Sequence, residues 1–169
     1  MPTNASTGFA LSSTDIEADS VISNKHVFDG SGCSGANISP ALSWTGAPAG
    51  TKSLAITCYD PDAPTGSGFW HWVVYDIPAD VTSLDTGAGN DGSRSLPAGA
   101  KQGFTDYSTR GWGGPCPPPG DKPHRYIFTI FALSVDKLGV PENATAAGIG
   151  FELHANELAR ASFTARFGR

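Results

Sequence analysis

Two carboxylates, Asp60 and Asp62, open the run DPDAPTGSGFWHWVVYD, and an imidazole, His71, follows them within it. Carboxylates beside an imidazole can orient it and favour its charged form, which makes either an anion-binding donor or an acid–base pair. The same residues fit a plainer account, in which the aspartates bond their own backbone at a turn and His71 is a half-buried strand residue. A second group comes later in the chain. His124 and Tyr126 lie two apart, so they share one face of a strand. They follow the loop GWGGPCPPPGDKP, where backbone amides near Gly113 and Gly114 are candidates for facing an anion. The plainer account of this group is a polyproline linker running into a core strand, with His124 at its edge.

The elements around these residues are readable from periodicity. Residues 54–59 alternate apolar side chains as a strand does, and Pro61 and Pro64 end it by removing backbone donors. Residues 65–68 are a flexible connection, and residues 69–75 resume as a strand rich in aromatic and β-branched types. Residues 126–133 are apolar on both faces, which marks a central strand. Shorter strands are expected at 9–13, at 25–28 and up to Trp44, and a long surface connection at 79–101 is a candidate wall for a binding site. Asn143 is read as the cap of a helix over 144–161, followed by a last strand at 163–167. His26 is expected at a strand edge without a role, and His154 with Glu157 as a surface pair.

The chain has 169 residues, the size of one domain, read as a flexible terminus at 1–8 and a single domain at 9–169. Its 21 Gly, 13 Pro and 16% charged residues suggest many short strands joined by turns. A formal net charge of −5 with scattered Lys and Arg argues against nucleic acid or an anionic membrane as partner. No apolar run suits a membrane span, and the N-terminal residues lack the basic flank and apolar core of a secretory signal, so a cytoplasmic location is expected. Cys58 reads as a small buried hydrophobe. Cys33 and Cys116 sit in Gly and Pro loops, and a disulfide between them is expected; it would favour a periplasmic or secreted location instead. No zinc-ligand pattern is present, and no cofactor is expected.

Three motifs in order, GANISPALSW, DPDAPTGSGFWHW and PPPGDKPHRY, resemble those of the phosphatidylethanolamine-binding proteins, also called Raf kinase inhibitor-like proteins, and most closely their bacterial branch. The resemblance implies a mainly β, Greek-key antiparallel sandwich, with a large central sheet, a smaller second sheet and one or two peripheral helices. It also implies a small pocket for phosphate-like anions at one end of the large sheet. Its lining would comprise Asp60, Asp62, Pro64, His71, Pro117, Pro118, His124 and Tyr126, to which the loop reading adds Gly114 as a ligand-binding amide. Thr105-Asp106-Tyr107 stands where bacterial relatives commonly carry Asn-Asp-Phe, which implies a different shape for that pocket edge; the C-terminal helix that borders the pocket in animal relatives has no counterpart before Arg169, so a more open mouth is expected. Homodimers are common in the bacterial branch.

Two carboxylates beside an anion site repel the ligand unless they are neutralised. The expectation is therefore that Asp60 and Asp62 pair with Arg125 or with backbone N–H groups, orient His71 and His124, and keep both imidazoles protonated. Non-enzymatic binding, with a regulatory role as a kinase or protease inhibitor, is the leading reading, because no activated nucleophile is visible. The competing reading is a metal-assisted or acid–base hydrolase built on Asp60, Asp62, His71 and His124.

Overall fold

The computed structural model describes residues 8–169. In chain order the elements are β1 (Ala10–Ser12), β2 (Asp29–Gly30), β3 (Cys33–Ser34), β4 (Leu42–Thr45), β5 (Ser53–Asp60), β6 (Phe69–Pro78), β7 (Ser83–Leu84), β8 (Lys101–Gln102), β9 (His124–Leu133), α1 (Ala146–Asn156) and β10 (Glu157–Phe167). The large sheet is antiparallel with the order β10-β9-β5-β6-β8, and a smaller sheet has the order β1-β4-β7. Within the large sheet, β5, β6 and β8 lie side by side in chain order, with only β7 of the small sheet between the last two, and β9 returns beside β5, which is the Greek-key order.

Strand periodicity explains the layering. Leu54, Ile56 and Cys58 of β5, Trp72 and Val74 of β6, and Phe128 and Ile130 of β9 face the small sheet and meet Leu11, Leu42, Trp44 and Leu84. The alternate residues Ala55, Val73, Tyr75, Phe131 and Leu133 face the other way and meet Ala146, Ile149 and Leu153 of α1. Both faces of the central strands are therefore buried, which is why 126–133 carry no polar alternation.

Several expectations are corrected. Residues 25–28 form a turn instead of a strand: the Ser23 and Asn24 carbonyls accept from the His26 and Val27 N–H groups. His26 is fully buried there, with Nδ1 bonded to the Ile38 carbonyl at 2.7 Å, and is no edge residue. The helix is shorter than 144–161 and is capped by Thr145, whose side chain accepts from Gly148 N, instead of by Asn143. It ends at Asn156 because Glu157 onwards pairs with β9 through Phe167↔His124, and that ladder overrides the helical propensity of the Ala, Leu and Glu residues. The terminus expected to be loose lies outside the described residues except for Gly8.

Candidate functional site

Three strand ends meet at one pole of the large sheet: the last residue of β5, Asp60; the first residues of β6, with Phe69 and His71; and the entry of β9, with His124 and Tyr126. They enclose a cavity of about 230 Å³, whose lining also includes Pro64, Tyr107, Cys116, Pro117 and Pro118. Asp60 pairs with Phe69 across β5 and β6, and Tyr59 with Ile127 across β5 and β9, so the sheet register itself brings the distant segments together. The remaining wall is the 111–120 loop. The Cys33–Cys116 disulfide fastens that loop to the β2–β3 hairpin, and Tyr107 closes the cavity's side, stacked on Phe28 with ring centroids 3.9 Å apart.

The polar groups form a chain. Asp60, buried, accepts from Asp62 N at 2.8 Å and faces His124 Nδ1 at 2.7 Å. The other nitrogen of His124, Nε2, faces Asp121 Oδ2 at 2.9 Å. Both ring nitrogens are therefore donors when the ring is an imidazolium. Burial pulls the His124 pKa down, but the bonds to Asp121 and Asp60 outweigh it and hold it above its ordinary value. Burial also holds Asp60 above the usual carboxylate range, against the opposing pull of His124 and the Asp62 N–H.

Asp62 turns outward. Its carboxylate takes Arg125 Nε at 3.0 Å, Arg125 Nη2 at 2.8 Å and the Arg125 backbone N–H at 2.9 Å. The Arg125 side chain holds its pKa down to about 2. The expected pairing with Arg125 is present, but Asp62 lines a neighbouring cleft instead of the cavity, because the carboxylate is drawn to the β9 face on which Arg125 projects.

Two further expectations fail. His71 lines the cavity but is not kept protonated: burial lowers its pKa to about 4, and Nδ1 donates to the Gly113 carbonyl at 2.7 Å, leaving the lone pair on Nε2. Gly114 does not line the cavity, and neither loop amide is free for an anion. Gly113 N donates to the His71 carbonyl at 3.0 Å, and Gly114 N to Asn37 Oδ1 at 2.8 Å. The need for glycine at 114 is steric, since a Cβ there would sit 2.0 Å from the His26 carbonyl oxygen.

Tyr126 is fully buried on the cavity wall, and its hydroxyl has no hydrogen-bond partner. Burial and the nearby Asp60 charge keep this phenol protonated by raising its pKa, so it is an unused donor. Among the described residues no group of three or more His, Cys, Asp and Glu is arranged to hold a metal ion.

Sequence reasoning missed Phe69 and Asp121, and it placed Tyr107 at the pocket edge through the resemblance alone. Phe69 had a signal, since it lies two before His71 on the same strand face; the ring contact, with centroids at 4.8 Å, follows from that. Asp121 had a weaker one, three residues before His124, and nothing local shows that the 107 segment folds back over the strand ends.

The model of the phosphatidylethanolamine-binding proteins matches residues 12–168. The chain is a member of the phosphatidylethanolamine-binding protein family. Among the relatives of this chain, the UPF0098 protein YbcL of Escherichia coli is 50% identical over 92% of this chain and 85% of its own length. The UPF0098 protein YbhB of the same organism is 49% identical over 93% and 98%. The crystal structure of E. coli YbcL, described as a new member of the mammalian family, superposes with a TM-score of 0.94 at 48% identity, covering 96% of this chain and 99% of that one. A Chlamydia trachomatis homologue of the family superposes with a TM-score of 0.79 at 28% identity, over 97% and 99%. The family's β architecture, with its large and small antiparallel sheets, is thus the architecture of this chain.

Proposed function

We propose that the cavity binds the phosphoryl end of a small phosphomonoester, without chemical turnover. The observation that carries this reading is the Tyr126 hydroxyl: a buried donor without a partner, on the wall of a cavity that also holds the unprotonated Nε2 of His71. Leaving a buried hydroxyl unsatisfied costs about 1–3 kcal/mol, and a ligand oxygen would recover it. A phosphomonoester in its singly protonated form matches both groups, accepting from Tyr126 and donating its P–OH to His71. Phosphorylethanolamine has that chemistry, as does a phosphorylated side chain on a protein, and capture of the latter would suit a regulator of a kinase or protease.

A binding role is further supported by the state of two side chains of the cavity lining, Thr65 and Cys116. Thr65 Oγ1 donates to the Gly68 carbonyl and Cys116 is held in the disulfide, so neither stands beside a base as a nucleophile. The disulfide also favours an oxidising compartment for the working protein.

The direction of the pH dependence follows from the ligand and the site together. A phosphomonoester loses its second proton near about pH 6. Below that value it keeps the donor that His71 needs, and Asp60, raised by burial, carries less charge to repel it. Calorimetric titration with phosphorylethanolamine at about pH 5.5 and about pH 8 is expected to show the tighter binding at the acid end. Equal affinity at the two values, or no binding at either, would overturn the proposal.

A further inference from the structure

A second cleft lies on the opposite side of His124 from the cavity, lined by Asp62, Asp121, Lys122, His124, Arg125 and Arg166. Its geometry is set by the β9–β10 ladder, in which Arg166 stands directly across from Arg125. Directly opposed residues of an antiparallel pair share one face, and like charges in that position repel. The acids of the cleft do not relieve Arg166. Asp62 is saturated by three bonds from Arg125, and Asp121 is turned to His124 Nε2. Among the described residues neither Arg166 nor Lys122 forms an ion pair. Three basic side chains thus converge on one open hollow of a protein whose formal net charge is −5.

We propose that this cleft is a second anion site, separate from the cavity, which takes a doubly charged oxyanion between Arg166, Lys122 and the outer edge of Arg125. An arginine fork suits the bidentate contact that a phosphate dianion offers, and a lysine supplies a mobile second charge. The neighbouring cationic groups disfavour an ammonium on the ligand. The cleft therefore ranks inorganic phosphate above phosphorylethanolamine, the reverse of the order expected for a cavity that accepts a headgroup. Because the cleft is open to solvent, its affinity falls with ionic strength, whereas contacts inside the cavity are screened much less.

The experiment is a titration of the full chain with inorganic phosphate, and separately with phosphorylethanolamine, followed by amide NMR shifts at about pH 7.5, where phosphate is mostly the dianion. Amides of Lys122, Arg166 and Val21, which forms a bridge with Arg166, report the cleft; those of Phe69, Tyr107 and Gly113 report the cavity. Inorganic phosphate is expected to move the cleft set, with an affinity that falls several-fold between about 0.02 M and about 0.2 M NaCl. Arg166→Glu should weaken it by roughly tenfold or more, Arg166→Lys by less. The Arg166 backbone bonds to Ser20 and Ile22 do not involve its side chain, so both variants keep the strand ladder. Tyr126→Phe should leave the cleft response unchanged and diminish the cavity response to phosphorylethanolamine when the titration is repeated at about pH 5.5. A cleft set that stays still, or moves alike in wild type and Arg166→Glu, overturns the second site. A cavity set that is silent at about pH 5.5 as well, with a responsive cleft at about pH 7.5, would overturn the headgroup reading and leave this one standing.

Discussion

At the residue scale, the cavity's working groups differ from an ordinary core in being left incompletely satisfied or held in an unusual protonation state. Tyr126 is the clearest case. Replacing it by Phe removes an unpartnered buried hydroxyl, so the variant should be as stable as wild type or more so, while phosphorylethanolamine affinity drops roughly tenfold. Thermal unfolding and calorimetry on the same samples check the two halves, and a fall in stability would show that the hydroxyl has a protein partner. The two histidines give opposite signs. His124 has a raised folded pKa, so its contribution to stability is complete below about pH 6.5 and is lost as the pH rises through the folded value. His71 has a depressed one, so its contribution is complete above about pH 6.5 and is lost as the pH falls toward about 4. Urea midpoints of wild type against His124→Gln should therefore converge toward alkaline pH, and against His71→Gln toward acid pH. Parallel profiles for both would remove the protonation assignment.

At the scale of elements, the site is a property of strand ends and of one loop pressed against a turn. The 111–120 loop lies against residues 26–28: Phe28 N donates to the Pro115 carbonyl at 3.0 Å, Trp112 Nε1 to the His26 carbonyl at 3.0 Å, and the Gly114 Cα packs directly on that turn. Gly114→Ala should therefore cost about 1–3 kcal/mol or more by overpacking, and should weaken ligand binding because the cavity wall shifts. Gly120→Ala is the control, since a Cβ there meets nothing within 4 Å and only its φ of +87° is strained. Loss of affinity in the second variant but not in the first would contradict this view of the wall. The same comparison explains what was legible in the sequence. The strands β5, β6 and β9 were, because alternation and proline punctuation are local signals. Residues 25–28 were not, because the burial of His26 is imposed by a loop that lies far along the chain. The first half of β10, residues 157–161, was misread as helix for a similar reason, although its second half was read as a strand: ELARA has helical composition, and only the waiting edge of β9 makes it a strand.

At the scale of the molecule, what holds the pocket closed is long-range. The candidate residues were legible as types, since Asp60, His71, His124 and Tyr126 do converge, and so were the bonds of Asp60 to a backbone N–H and to His124 and the raised His124 pKa; the neutral state of His71 and the Asp121 partner were not, because burial and the loop that carries Asp121 belong to the assembled fold. The Cys33–Cys116 bridge is the longest-range covalent tie, joining residues 83 apart in sequence. In the chain-entropy account, closing a loop of that length stabilises the folded state by roughly 4 kcal/mol, a large share of the 5–15 kcal/mol typical of a domain. The two-sided core of the large sheet does not include the 111–120 loop beyond Trp112, so removing the bridge should leave the sheets paired and release the cavity wall first. The double variant Cys33→Ser, Cys116→Ser should accordingly unfold at lower denaturant by a few kcal/mol, keep its far-ultraviolet circular dichroism, and bind phosphorylethanolamine more weakly than wild type. Amide exchange should quicken at residues 111–120 and at the β2–β3 hairpin ahead of β5 and β9. Uniform loss of protection across the sheet would instead make the bridge a support of the whole fold, and unchanged protection throughout would leave the pole of the sheet rigid without it.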